Sequence, residues 1–466
     1  MFVAAEQSDQ YAVSVAYPRP ALAWQILLTL FLATIVSYMD RGIIALLIPD
    51  LKSAFQLSDT QVSIVQGLAF SAFFALASIP VGHLVDRVSR RNIIIVGILV
   101  WSVATICCGL AANYPQLLVA RACVGLGEAS LVPAAYSIVA DCFRAERRGR
   151  AMSFLVAAAS FGGALSNLIG GLLLKAVSGS SHVVLPLLGR TEVWRFVMMV
   201  FGSFGFWLII LLLLFKEPAR QATVRSDHTA AGSRAKFLHY AGRDPYLYAA
   251  TFIIVALIFT TTTVTSLWIV VALSRVYDVS IANSGVLVGF AKLGSHVVGS
   301  FGGGVVGDAL ARKGTRYGRL NLWFFGLPLL ALGGILLVWP ASVTSFMVGF
   351  WLIGLVGAAA AGATYPIIYD IVPSELRGQS IAYCMTIANL VSFGLGPTLP
   401  ALLNDRVFLD EGMIHWSLMI VTVGAATIGT ILAVSIRRRF EQASLQVATV
   451  QSRRAVAGTA DAGIGE

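Results

Sequence analysis

Apolar residues along this chain come in long runs rather than in alternation. Twelve runs reach the roughly 20 residues that a helix needs to cross the hydrocarbon core of a bilayer. They cover residues 22–48, 61–82, 91–111, 115–142, 149–176, 193–215, 246–273, 281–307, 319–339, 342–370, 377–403 and 413–436. In lipid each backbone polar group must be satisfied within its own segment, so helices are the expected elements. The pattern predicts an all-α membrane protein. The longest internal polar stretch, Lys216 to Pro245, separates six spans from six. The expected organisation is an N-terminal segment (1–21), a six-helix bundle (22–216), a linker (217–245), a second bundle (246–436) and a tail (437–466). A short surface helix is expected near Arg234 to Tyr240. The tail beyond Phe440 is rich in Ala, Gly, Ser and Gln and reads as disordered. The first twenty residues lack a basic segment with a cleavage site, and the run after them is too long for a signal sequence. No cleaved signal peptide is expected.

Composition agrees: 57% of residues are hydrophobic and only 12% are charged, about half the usual charged share of soluble domains. The net charge of +10 could point to nucleic acid, but the charges sit in short clusters between apolar runs and form no basic face. Of the 33 Lys and Arg residues, 24 fall on one side if the N-terminus is cytoplasmic, 6 on the other and 3 inside spans. Both termini are therefore expected in the cytoplasm, with the chain in the cell (inner) membrane. The five cysteines lie in or beside apolar runs without metal-ligand spacing, and read as packing residues.

The chain repeats itself. Gly82-His-Leu-Val-Asp86 ends the second run, and Gly304-Val-Val-Gly-Asp308 ends the eighth. Tyr136, Asp141, Glu146, Arg148 and Gly149 recur at a single offset as Tyr365, Asp370, Glu375, Arg377 and Gly378. Corresponding spans run in the same direction, so the halves are parallel repeats about an axis along the membrane normal.

These motifs carry a resemblance. The loop from Gly82 through Asp86, Arg87, Arg90 and Arg91 resembles the signature between helices 2 and 3 of the major facilitator superfamily. The Arg148-Gly149 and Arg377-Gly378 pairs resemble its edges after helices 4 and 10. The resemblance covers nearly the whole chain. It implies twelve transmembrane helices in two pseudo-symmetric six-helix bundles that rock about a central cavity. Tyr38-Met39-Asp40-Arg41, and Arg121 through Gly125, Gly127, Glu128, Ala129 and Ser130, are similar to the spinster (Spns) lipid-transporter family and its bacterial relatives. Ser37 departs from that pattern, which usually has Asn there.

Five ionisable residues lie within spans: Asp40, Arg41, Arg121, Glu128 and Lys292. Each costs roughly 2.5–3.5 kcal/mol or more in the bilayer and is a functional candidate by default. Arg121 is seven residues before Glu128, so it lies about 10 Å outward on the same helix face. Asp40 falls between them in depth. If spans 1 and 4 pack together, as the family implies, Asp40 can pair with Arg121 and sense Glu128. Asp40, Glu128 and Arg121 are thus candidates for proton coupling. A static ion pair fixing the two spans is the plainer alternative. Arg41 and Lys292 have no assigned carboxylate and are candidates for attracting an anionic head group. The competing possibility is that Arg41 joins the Asp40 network and that Lys292 snorkels or pairs locally.

The second half has no deep carboxylate: Phe350 and Gly357 stand at the repeat positions of Arg121 and Glu128. It offers Tyr365, Trp268 and Asn389 as substrate-binding candidates on an amphipathic wall. Asp86, Arg90, Asp141, Arg148, Asp308, Asp370 and Arg377 are expected to form a cytoplasmic gate, with plain membrane anchoring as the alternative reading. Paired glycines at 162–163 and 170–171 are expected to allow close helix contact.

The sequence lacks a phosphate-binding loop, an intramembrane metal cluster and a nucleophile elbow. It therefore reads as a non-enzymatic secondary transporter without cofactor or metal. Its expected partners are a small-molecule or lipid substrate, protons and the bilayer, but no nucleic acid, and the chain is expected to be a monomer. The substrate expected is an anionic amphipath such as a lysolipid or sphingolipid-like molecule; an organic anion or drug is the alternative.

Overall fold

The computed structural model describes residues 17–85, 87–177, 182–185, 189–220, 237–312 and 318–462. Eleven of its helices are long and apolar enough to span a membrane, and a twelfth apolar helix is shorter. In chain order they are α1 Pro20–Phe55, α2 Asp59–Val85, α3 Arg90–Leu110, α4 Tyr114–Cys142, α5 Arg147–Ala176 and α6 Val193–Leu213. The second set is α7 Pro245–Tyr277, α8 Ile281–Gly307, α9 Asn321–Leu336, α10 Val343–Ile371, α11 Arg377–Phe408 and α12 Glu411–Val447.

Local sequence explains many ends. Pro20, Pro115 and Pro245 stand in first turns, where the missing N–H costs nothing. Asn113, Asp244 and Ser342 accept backbone N–H bonds at N-caps. Ser58 and Gln61 form a capping box at the start of α2. The ninth run gives only a 16-residue helix, framed by a 3-10 turn at Gly318–Leu320 and by the turn before Pro340.

Contacts between helices repeat at a shift of six. The pairs α1–α5, α1–α6, α2–α4, α3–α4 and α3–α6 recur as α7–α11, α7–α12, α8–α10, α9–α10 and α9–α12. Across the halves, α5 packs on α8 and α2 on α11, which are the same pair under that shift. Gly171 explains the first crossing: a Cβ there would come within 2.7 Å of the Ala282 carbonyl oxygen on α8.

Glu411, which opens α12, bonds Lys52 near the end of α1 at 2.6 Å. The start of α1 and the end of α12 therefore share one end of the bundle. It is called the terminal end below, and its opposite the distal end.

The helical architecture stands, with one addition and one correction. A short hairpin, β1 His182–Leu185 and β2 Gly189–Glu192, pairs antiparallel between α5 and α6. Val183, Val184 and Leu185 suit a strand, and the chain reverses over few residues there. The final helix also continues to Ala462, where composition suggested disorder. Ala, Gln, Arg and Leu sustain a helix well, and no Pro interrupts. In the linker, residues 237–241 are helical; positions 234–236 of the expected surface helix lie outside the described residues.

Candidate functional site: a charged core and a distal seal

α1 and α4 bring four charged side chains together in the first half, and α3 adds a hydroxyl. Glu128 is completely buried and accepts the Arg41 Nε–H at 2.5 Å and the Ser37 hydroxyl at 2.7 Å. Arg41 and Ser37 are one turn apart on α1, so both can reach one carboxylate. The Arg41 guanidinium also lies over the rings of Tyr38, Phe70 and Phe74 at 4.6, 4.7 and 5.0 Å. These apolar rings attract the cation through their faces. Asp40 is buried and accepts the Thr105 hydroxyl at 2.7 Å. It lies within electrostatic reach of Glu128, Arg121 and Arg41. Arg121 is also buried and donates to the Val65 carbonyl at 3.4 Å.

This pairing differs from the one expected. Arg41 takes Glu128, while Asp40 and Arg121 form no ion pair; Asp40 Oδ1 and Arg121 Nη2 both lack hydrogen-bond partners. Arg41 follows Asp40 directly, so the two project from α1 in different directions and meet different partners. Ser37, at the position that departs from the family pattern, supplies the second contact to Glu128. Thr105 was not among the sequence candidates. A polar residue among the apolar positions of α3 was its one available signal.

The second half repeats the crossing without the charges. Where Glu128 reaches Ser37, Gly357 abuts Thr262; a Cβ at Gly357 would lie 2.1 Å from Thr262 Cγ2. There is no room for a carboxylate at that crossing. Lys292 on α8 donates to the Ser266 hydroxyl at 2.6 Å, and its amine lies against Gly163 of α5 in the other half. It thus stands at the seam between the halves, with the His296 ring on the Lys292 carbonyl at 3.0 Å. Tyr365 is partly exposed and within electrostatic reach of Tyr38 and Tyr136 of the first half, so it lies on the side of its bundle that faces that half. Asn389 is exposed, immediately before a π-turn at Leu390–Leu395. Trp268 is a correction. It is fully buried and gives its indole N–H to the Pro397 carbonyl at 3.0 Å, so it ties α7 to α11 and offers no surface to a solute in this conformation.

Of the residues expected at the gate, those the structure describes lie at the terminal end. Asp86 and the Asp308 side chain fall outside the described residues. Arg90 is nearly buried and bonds Asp141 and, at 2.8 Å, Glu217. Arg319 bonds Asp370 at 3.1 Å. The two Asp residues are repeat equivalents, each held by an Arg at or just before the preceding helix. Arg377 donates to the carbonyls of Tyr369 and Val372 and covers the end of α10. Arg148 lies part-buried near the start of α5.

Glu217 was missed by sequence reasoning. It accepts Ser89 Oγ–H at 2.5 Å and the backbone N–H groups of Arg90 and Arg91 at 3.1 and 3.4 Å, so it caps α3 from the far end of α6. Burial pushes its carboxyl up, but these bonds outweigh burial and hold it below the ordinary glutamate range.

The distal end holds a second cluster that the sequence did not single out. Asp59, fully buried, takes Lys52 at 2.5 Å and the Arg275 fork at 2.7 and 2.8 Å. Asn404 adds a bond at 3.1 Å. Glu411 takes the same two cations at 2.6 and 3.0 Å. Thr60 N–H reaches Asp405 at 2.8 Å. Lys52, Asp59 and Thr60 come from the first half and the others from the second, so the network fastens the halves together. Its signal was there: Lys52 and Arg275 run against the charge bias of the chain, and each lies near a helix end.

Two six-helix sets, related by their contacts and meeting over buried charge, define a multi-pass helical membrane protein built on an internal repeat. The profile of the Major Facilitator Superfamily matches residues 30–315, and the chain belongs to that superfamily. Within it, the chain is similar to protein spinster homolog 1 of Xenopus laevis, 33% identical over 215 residues. That alignment covers 45% of this chain and 37% of the frog protein. It is 26% identical over 411 residues to an MFS-type efflux pump of Mycolicibacterium smegmatis, covering 84% of this chain and 87% of the pump. A solved structure of a bacterial homolog of the human lysosomal transporter spinster, inward-facing and unoccupied, superposes with a TM-score of 0.75 at 21% identity, covering 93% of this chain and 99% of that one.

Proposed function

We propose that this protein is a proton-coupled secondary transporter of an anionic amphipath, a lysolipid or sphingolipid-like molecule, working by alternating access in the cell membrane. One observation carries the reading: a buried Glu128–Arg41 pair stands beside a buried Asp40 that no cation pairs. A solute phosphate or carboxylate that binds Arg41 competes with Glu128 for the guanidinium. Glu128, left buried without its cation, then favours the neutral acid and takes up a proton. Asp40 one residue away feels each change in charge on Glu128 and Arg41. Solute binding and proton binding are thereby linked through one arginine. Lys292 at the seam adds positive charge for the head group, and Tyr365 and Asn389 offer polar contacts beside an apolar wall. The cytoplasmic rim residues, led by Asp86, close the terminal end when the distal seal opens.

The test is uptake into proteoliposomes of labelled lysophosphatidylglycerol and of a soluble organic anion, with and without a pH gradient. Lysolipid accumulation that depends on the gradient is expected. Glu128→Gln is expected to reduce that dependence by about a hundredfold while exchange of labelled for unlabelled solute persists. Full gradient dependence in Glu128→Gln would overturn the coupling role. The similarity to an efflux pump favours one second reading, a drug or organic-anion transporter. Gradient-driven movement of the soluble anion alone would select it.

A further inference from the structure

Several buried polar groups left without partners lie along one route from the distal end. α2 contains a π-turn at Ile64–Leu68. There the Ala69 N–H reaches back five residues to the Ile64 carbonyl instead of four to Val65. The Val65 carbonyl is thereby released, and Arg121 occupies it. The next residue, Gln66, is 6% exposed, and neither its amide nitrogen nor its amide oxygen has a hydrogen-bond partner. Burying such atoms unpaired is costly, because each has given up its bonds to water and gained none in return. Arg121 Nη2 and Asp40 Oδ1 are unpartnered too. A donor and an acceptor on Gln66, a donor on Arg121 and an acceptor on Asp40 all remain open, and they do not satisfy one another.

Depth orders these groups. Gln66 and Arg121 are each seven residues from the distal start of their helices, which puts both about 10 Å below it. Glu128 lies seven residues deeper on α4. Gln66 and Arg121 therefore form a layer between the carboxylates and the distal seal at Asp59. On the seal side of this layer, Ser63 donates to Thr398 of the other half at 3.2 Å. Gly67 meets the Phe393 carbonyl of α11, where an added Cβ would lie at 2.3 Å. The layer thus sits against the seam that opens when the distal seal releases.

We propose that Gln66 and Arg121 bind a small cluster of buried water that delivers protons to Asp40 from the distal side. Water suits these atoms because it donates and accepts at once and needs two to four polar partners. A hydronium arriving at Gln66 passes its proton through this water to Asp40 Oδ1; the hydronium becomes water and the carboxylate becomes the neutral acid. The groups facing Asp40 are Arg41 on α1, Thr105 and Cys108 on α3, and Arg121 and Glu128 on α4. Arg121 keeps its charge throughout and guards the layer against other cations. The inference rests on the proton-coupled reading above and gives it a distal entrance.

Two substitutions separate water from packing. Gln66→Leu fills the space with apolar atoms, whereas Gln66→Ser leaves room for water and a hydroxyl. In proteoliposomes with labelled lysophosphatidylglycerol, Gln66→Leu is expected to lower gradient-driven accumulation by about tenfold or more and to leave solute exchange within about twofold. Gln66→Ser is expected to keep accumulation within about threefold of the unaltered protein. Full accumulation in Gln66→Leu overturns the proposal. So does an equal loss in both variants, or a parallel loss of exchange in Gln66→Leu. A high-resolution map of the unaltered protein gives an answer that needs no solute. Density for water bridging the Gln66 amide and Arg121 Nη2 supports the proposal, and its absence at a resolution that shows other buried waters overturns it. If the unaltered protein carries no lysolipid, the transport reading falls, and the map alone decides the water site.

Discussion

The two ends of the molecule use the same chemistry for different purposes. At the distal end, Asp59 gathers Lys52 from its own half and Arg275 from the other, and Glu411 takes both cations again. At the terminal end, the pairs Arg90–Asp141, Arg90–Glu217 and Arg319–Asp370 each stay within one half. In the first set, Arg275–Asp59 and Lys52–Glu411 cross between the halves and must break for them to part. The second stiffens each half and can persist while they move. An ion pair in a rocking protein therefore carries mechanical meaning only once its partners are assigned to bodies.

The largest effect is expected where the comparison is most exposed to failure. Asp59→Ala leaves Lys52 and Arg275 without their buried partner, and breaking such a pair typically costs about 3–5 kcal/mol. Lys52 loses Asp59 in either conformation, but the Arg275 share of the cost falls on the distal-closed conformation alone, because Asp59 meets Arg275 only when the halves touch. The closed population is expected to fall by about tenfold or more. Distances between spin labels at Ala54 and Asn283, in a background without native cysteines, would report it. Both positions are exposed at the distal end, one in each half. An unchanged distribution would show that helix packing, and not the charge cluster, holds this end shut.

Much of this architecture was legible in the sequence. Run lengths gave the helices and the polar stretch after Lys216 gave the division. The recurrence of Asp141 and Arg148 as Asp370 and Arg377 gave the repeat. The buried charges announced themselves because lipid makes them costly. Pairing was not legible: Asp40 and Arg41 are neighbours, and depth alone could not say which of them meets Glu128. The direction of each side chain around α1 decides that, and a one-dimensional reading holds helix phase only loosely. The distal cluster was obscured for a related reason. Its members are separated by up to 359 positions and come from five helix ends that only the closed bundle brings together. Trp268 shows the opposite error, since an aromatic residue in a span suits a binding wall and a helix contact equally well.

A middle-sized effect is expected at the terminal end, and it should be confined to stability. Glu217 is held by Ser89, Arg90 and two backbone N–H groups, all within the first half. Glu217→Gln removes the charge that strengthens these bonds, at a cost of about 1–2 kcal/mol. A lower melting temperature with unchanged distal label distances is the expected outcome. The pH dependence has a definite sign. The folded carboxyl titrates below the ordinary glutamate value, so its stabilisation is complete above that value and is lost as pH falls through the lowered one. The variant should therefore lose less stability than the unaltered protein over that acid range. A shift in the label distances would mean that this pair, too, acts between the halves.

The smallest effect tests whether burial, and not charge as such, makes the difference. Arg439 bonds Asp244 at 3.0 Å, with 52% of the Arg side chain exposed. Water and salt screen such a pair, and exposed pairs contribute about 0–1 kcal/mol. Asp244 has a second role, because its side chain accepts the Leu247 N–H at the start of α7. Asp244→Asn keeps that cap and removes the charge, so thermal melting should scarcely change. Asp244→Ala removes both, and should cost about 1 kcal/mol through the cap alone. A large loss in Asp244→Asn would mean that exposed charge pairs hold this fold together. The contrast between the ends would then lie in where the pairs fall, and not in how deeply they are buried.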